Sequence, residues 1–203
     1  MPLLLASTFQ HFKKLSDFSE ILGTWCVACV ITAAIPDTEQ NGSRPEWAQA
    51  EIDAVAQHAK EFFEYDLANK TPDMLEADLP DCDLIYFIGG NTFHLLDMVN
   101  KSGFREFVTG HLAQGKSVWG GSAGAIIHGP DIAFIKSMDA PEKANLTSTQ
   151  GLELTQLRIL PHWHGNHHQE ALDCLAKNPD VDIICLTDDQ ALFIEGNKTE
   201  ILG

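Results

Sequence analysis

Val118-Trp119-Gly120-Gly121-Ser122-Ala123-Gly124-Ala125 (VWGGSAGA) sets one serine among glycines, after one apolar run and before another. Gly120 to Gly124 fits Gly-x-Ser-x-Gly. Between a strand and a helix, that pattern has a mechanical reason. The serine takes a sharp, strained turn so that its hydroxyl projects above a sheet, and larger neighbouring side chains would clash. The backbone N–H groups that open the following helix can stabilise an oxyanion. Taken alone, the pentapeptide fits equally well a tight turn with a capping serine.

The flanking segments supply the sheet. Residues 3–6, 27–34 and 84–88 are apolar runs without alternation, as expected of strands buried on both faces. The run at 84–88 ends at Gly89-Gly90. Helices are expected from Asn91 or Thr92 to Gly103 and over 104–113. Ser43-Arg44-Pro45-Glu46 reads as a capping box with proline in the first turn. Ile52, Val55, Ala56, Ala59, Phe62 and Phe63 continue from it at helical spacing. Further on come a strand at 157–160, helical spacing at 170–176, a strand at 183–186, and a hairpin of 191–194 with 199–202 around Gly196-Asn197. Buried strands alternating with amphipathic helices predict a mostly parallel sheet covered on both faces, in one α/β domain spanning residues 1–203. In such sheets, function gathers at the carboxyl ends of the strands. Gly89-Gly90-Asn91, the Ser122 turn and His162 all fall there.

Composition narrows the classes. The chain has 203 residues, enough for a sizeable core, and a formal net charge of −16. That charge repels phosphate backbones and disfavours nucleic acid as a partner. No apolar run approaches the roughly 20 residues needed to span a bilayer, so no membrane role is expected. The apolar start, Met1 to Ala6, lacks preceding basic residues and is too short for a signal peptide, so it reads as a first strand. A cytoplasmic protein is the expectation. Five cysteines, an odd count, argue against a disulfide framework. Cys26-Val27-Ala28-Cys29 matches C-x-x-C, but it lies in an apolar run and reads as small buried residues.

A nucleophilic serine needs a base, and the base needs an acid to orient it. Among nine histidines, His162 is best placed, just past an apolar strand in Pro161-His162-Trp163-His164-Gly165-Asn166-His167-His168. This histidine-rich stretch can also be read as a solvated loop or a metal site, although it meets no known ligand spacing. Several acids compete for the third place. Asp188 and Asp189 follow the strand at 183–186, and Asp139, their rival, lies in a less regular segment.

Taken together and in order, Gly89-Gly90-Asn91-Thr92-Phe93, Gly120-Gly121-Ser122-Ala123-Gly124-Ala125 and Pro161-His162 resemble the serine peptidases that include aspartyl dipeptidase (peptidase E) and cyanophycinase. The resemblance runs from the first strand to about Ile194. It implies a three-layer α/β fold like the class I glutamine amidotransferase domains, related to flavodoxin-like folds. In those domains a cysteine holds the place that Ser122 takes here. By the same resemblance, Ser122 is the nucleophile, His162 the base, and the N–H groups of Gly90 and Ala123 the oxyanion hole. Leu186-Thr187-Asp188 matches a Leu-Pro-Glu segment of aspartyl dipeptidase with Asp for Glu, which favours Asp188. Asp139 is the alternative acid or a substrate-binding residue.

The implied activity is hydrolysis of small peptides through an acyl-enzyme, with no metal and no cofactor. A homodimer is left open. One departure stands out: aspartyl-specific relatives carry an arginine early in the helix after the histidine, and Asn166-His167-His168-Gln169-Glu170 has none. A catalytically inactive binding module and an acyl hydrolase or transferase on a non-peptide substrate are the rival readings.

Overall fold

A computed structural model describes residues 2–12, 27–35, 44–79, 81–164, 169–177 and 182–203. Nine strands are described: β1 (Pro2–Ala6), β2 (Val27–Ile31), β3 (Glu61–Tyr65), β4 (Leu84–Phe87), β5 (Ser117–Gly121), β6 (Arg158–Leu160), β7 (Ile183–Cys185), β8 (Ala191–Glu195) and β9 (Lys198–Leu202). The helices are α1 (Glu46–Ala56), α2 (Pro72–Asp78), α3 (Thr92–Ser102), α4 (Phe104–Ala113), α5 (Ala123–Ile126) and α6 (Gln169–Ala176). Seven strands form one sheet in the order β3-β2-β4-β5-β1-β8-β9. Its first five strands run parallel, and β8 and β9 close one side antiparallel.

Alternate side chains of these strands enter two cores. Ile31, Ile85, Phe87 and Val118 pack on one face with Leu75 of α2, Leu96 and Val99 of α3, and Phe104 and Val108 of α4. Leu4, Val30, Tyr86 and Trp119 pack on the other face with Ile52 and Val55 of α1 and with Phe9. This is the helix–sheet–helix layering expected from apolar strands without alternation. Local signals agree with it. Asn91 caps α3 by accepting the His94 N–H at 2.8 Å, and Gly103 ends that helix in the left-handed region at φ 76°. Thr71 caps α2, with Pro72 at its first position.

The structure corrects three expectations. First, α1 stops at Ala56, and Phe62 and Phe63 belong to β3, an edge strand parallel to β2. Ala59, Phe62 and Phe63 matched helical spacing by coincidence. The aromatic-rich Glu61-Phe62-Phe63-Glu64-Tyr65 is a good strand former, and the free edge of β2 offers it a hydrogen-bonding partner. Second, Pro45 takes the cap position of α1, with no side-chain cap bond, and Ser43 lies outside the described residues. Third, β6 and β7 do not join the main sheet. They pair in parallel as a separate two-stranded sheet, Arg158 opposite Ile183 and Leu160 opposite Cys185.

Leu5 links the two sheets through a small apolar cluster with Ala125, Ile159, Leu186 and Leu192. Cys29 is buried in β2 as read, while Cys26 lies outside the described residues. Among the described residues, no helix is long and apolar enough to cross a membrane.

Candidate active site

Ser122 sits between β5 and α5 with φ 49° and ψ −113°, a conformation that non-glycine residues rarely adopt. Its N–H donates to the Ala6 carbonyl at 3.0 Å, and its own carbonyl accepts from the N–H groups of Ala125 and Ile126. The turn is tied to β1 on one side and to α5 on the other. Close approach explains its glycines: a Cβ on Gly124 would lie 2.1 Å from the Phe87 carbonyl oxygen at the end of β4. Gly90, at φ 139°, is similarly constrained, because a Cβ there would lie 2.1 Å from the Ala34 oxygen.

His162 follows β6 and Asp188 follows β7, so the short parallel pair brings the two together. His162 Nε2 lies 2.9 Å from Ser122 Oγ, and its Nδ1 lies 2.6 Å from Asp188 Oδ1. An ionised carboxylate only accepts, so Nδ1 carries the hydrogen and Nε2 is left to accept the Ser122 hydroxyl proton. His162 also has a positive φ, 57°. Its N–H donates to Ser7 Oγ at 3.0 Å, and the Ser7 hydroxyl donates to the Leu186 carbonyl at 2.8 Å. Ser7, fully buried directly after β1, therefore joins the main sheet to both strand ends of the small one. Past Asp188 the chain folds back, with the Gln190 N–H on the Thr187 carbonyl at 3.0 Å and the Thr187 hydroxyl on Asp189 Oδ1 at 2.6 Å.

A cavity of about 380 Å³ opens above the serine. Ser7, Ser122, His162, Asp188 and Gly90 line it together with Thr8, Gln10, His11, Trp47 and Glu51. Glu51 is a carboxylate only 6% exposed. Its two oxygens accept from the Phe9 N–H at 3.0 Å, the Gln10 N–H at 3.2 Å, the Tyr86 hydroxyl at 2.8 Å and the Thr8 hydroxyl. Burial pushes its carboxyl above the ordinary value, and the Phe9, Tyr86 and Gln10 donors and the nearby His162 pull it back down. A Cβ on Gly121 would lie 3.5 Å from Glu51 Oε2, so this carboxyl stands directly beside the serine turn.

The structure brings together Ser122, His162, Asp188 and Gly90, and Ala123 opens α5 directly after the serine. Asp139 is placed elsewhere. Its carboxylate accepts from the Thr92 N–H at 2.6 Å and from Asn91 Nδ2 at 2.6 Å, at the start of α3. His164 Nε2 lies 3.1 Å from Asp188 Oδ2, so Asp188 holds two imidazoles, one on each oxygen. His167 and His168 lie outside the described residues, as does most of the segment expected to lack the arginine. Among the described residues, no group of three or more acids, histidines and cysteines could hold a metal ion.

Sequence reasoning missed Ser7 and Glu51. Ser7 carried a usable signal, since it follows a strand of the parallel sheet at its carboxyl end. Glu51 carried a weaker one, a charge among the buried positions Ala48, Ile52 and Val55 of α1.

The profile of peptidase family S51 matches residues 3–202. An uncharacterized peptidase of Listeria innocua is 42% identical over 102 residues, a segment that covers 50% of this chain and 49% of that protein. This match therefore spans about half of the relative's length. An uncharacterized peptidase of Listeria monocytogenes is 33% identical over 138 residues, 66% of this chain and 67% of that one. A crystal structure of a Listeria monocytogenes protein provisionally assigned to peptidase E superposes with a TM-score of 0.84 at 28% identity, covering 99% of this chain and 97% of the other.

Proposed function

We propose, from the premise that this chain belongs to peptidase family S51, that it hydrolyses small peptides through a Ser122–His162–Asp188 triad and an acyl-enzyme. One observation carries the proposal. Hydrogen-bond distances run unbroken from Ser122 Oγ to His162 Nε2 and from His162 Nδ1 to Asp188, at a serine held in a strained strand-to-helix turn.

In the proposed reaction, Ser122 Oγ attacks the carbonyl carbon of the scissile bond while His162 Nε2 takes the hydroxyl proton. The carbonyl oxygen becomes an anion, which the N–H groups of Gly90 and Ala123 would receive. Collapse of this intermediate breaks the C–N bond. His162 gives its proton to the leaving amine, and Ser122 is left as an ester. Water then attacks the ester and loses a proton to His162, the acyl C–O bond breaks as His162 returns that proton to Ser122 Oγ, and the carboxylic acid and free serine are released. Asp188 holds Nδ1–H toward itself and stabilises the imidazolium in both halves. The 380 Å³ cavity is at the small end of ligand sites and suits one or two amino-acid residues, in keeping with a short peptide. Residues 1–203 would act as one α/β peptidase domain.

The test is a hydrolysis screen over unblocked dipeptides and tripeptides. The expected result is turnover that falls about 10⁴-fold or more in Ser122→Ala while the fold is kept. Undiminished turnover in that purified variant would overturn the serine mechanism.

A further inference from the structure

The wall formed by Trp47 and Glu51 has no part in the proposed bond-breaking steps, yet it faces the same cavity. The two residues are four apart on α1, so they share one face of that helix, one turn from each other. Trp47 is 43% exposed, a large aromatic surface left uncovered at the cavity's rim. Glu51 is buried and its carboxyl is fixed in place. Two backbone N–H groups and two hydroxyls converge on its two oxygens, an arrangement an ionised carboxylate satisfies. Asp188 is the second acid of the lining.

Among the described residues, no arginine or lysine lines the cavity. Arg44 pairs with Glu64, and Arg105 donates to the carbonyls of Gly151 and Gln150.

On the reading that Ser122 is an acylating nucleophile, the sides of the cavity can be assigned. The leaving amine must receive its proton from His162 Nε2, so it lies on the His162–Asp188 side. The acylating residue is left with the wall of Thr8, Gln10, His11, Trp47 and Glu51.

We infer that this wall is the side-chain subsite for the acylating residue, and that it takes neutral side chains, aromatic ones best, and rejects aspartate and glutamate. The Trp47 ring offers an apolar face on which a flat or aliphatic side chain loses water. A substrate carboxylate brought there loses water too, and meets the Glu51 carboxyl with no arginine or lysine among the described lining residues to balance it. Discrimination comes from repulsion of the wrong side chain as well as attraction of the right one.

The experiment compares kcat/KM for the p-nitroanilides of phenylalanine, alanine and aspartate, with fluorophosphonate labelling of Ser122 run on the same samples. The protein is expected to favour phenylalanine over aspartate by about 100-fold or more. Trp47→Ala, a change at an exposed side chain, should lower kcat/KM for the phenylalanyl substrate about tenfold, mainly through KM, and leave the alanyl substrate within about threefold. Glu51→Gln should narrow the phenylalanine-to-aspartate ratio by about tenfold. A labelled enzyme that cleaves the aspartyl substrate as well as the phenylalanyl one overturns this inference and leaves the peptidase reading intact. So does an unchanged phenylalanine-to-alanine ratio in Trp47→Ala. A protein that neither labels nor hydrolyses overturns both.

Discussion

The turn that carries Ser122 is built into the middle of the seven-stranded sheet, whereas His162 and Asp188 hang from two strands of three residues each. Around the serine, Trp119, Gly120, Gly121, Ala123, Gly124 and Ala125 are all buried, and backbone atoms approach to distances that exclude a Cβ. The other arm is looser. The side chains of His162 and Asp188 are 42% and 33% exposed, and β7 is only half-buried along its length. A two-stranded sheet has little stability of its own. This one is held by the Leu5 cluster and by the Ser7 hydroxyl. The difference separates two kinds of damage. Added bulk at the turn should break packing, while a lost bond on the arm should misalign the proposed base and leave the fold standing.

The sharpest way to set the arms apart is to compare the two acids. Asp188→Asn should lower kcat about 10⁴-fold, because the imidazole loses the carboxylate that fixes its tautomer. Asp139→Ala should cost less than about tenfold in kcat but about 1 kcal/mol in stability, since that carboxylate serves the start of α3. Kinetics and urea unfolding on both variants check this, and the reverse pattern would put the acid at 139.

Ser7→Ala probes the attachment of the arm. Removing the hydroxyl leaves the His162 N–H without its acceptor and frees the base to shift. A displacement of about 1 Å can cost about 100-fold, so kcat should drop by about 10- to 100-fold with KM nearly unchanged. Restoration of kcat by Ser7→Thr would tie the effect to the hydroxyl. A Ser7→Ala variant with full kcat would show that the arm does not depend on it.

Acid should reach the serine side through His128. That ring is fully buried behind the turn, stacks edge-on against Phe87 at 5.2 Å, and donates from Nδ1 to the Gly124 carbonyl. Burial lowers its pKa from 6.5 to about 4, against the pull of that hydrogen bond, and burial lowers buried His111 to about 4 as well. Because the folded values lie below the unfolded one, the unfolded state takes up the proton first. Stability is therefore full above about pH 6.5 and falls as pH drops toward 4, by about 3 kcal/mol for each ring. Glu51, whose carboxyl is raised, works in the opposite sense over part of the same range. Unfolding measured from pH 7.5 to 4.5 should show the decline, and His128→Leu should flatten it. A slope unchanged in that variant would remove His128 from the account.

The smallest effect belongs to His164. It touches the second oxygen of Asp188 but is largely exposed, so His164→Ala should lose less than about tenfold in kcat. A collapse comparable to that of Asp188→Asn would mean that the arm needs both imidazoles.

Much of this contrast was legible in the sequence, and unevenly so. The serine turn could be read because only glycines and alanine fit at Gly120, Gly121, Ala123 and Gly124. Steric exclusion leaves a mark on residue type. The main sheet could be read because its strands are apolar without alternation. The separate pairing of β6 with β7 could not, since Arg158-Ile159-Leu160 and Ile183-Ile184-Cys185 look the same whether they join one sheet or another. β3 was hidden by the chance helical spacing of Phe62 and Phe63. Glu51 was hidden because its four donors come from Thr8, Phe9, Gln10 and Tyr86, far apart in sequence from it.

In the proposed reaction, His162 activates Ser122 for covalent attack. Intact-protein mass spectrometry after brief exposure to a fluorophosphonate tests it most directly, with peptide mapping of the adduct. One adduct per chain is expected, on Ser122, formed at least about 100-fold more slowly in His162→Ala. An unlabelled protein, an adduct on another residue, or equal labelling rates with and without His162 would contradict it.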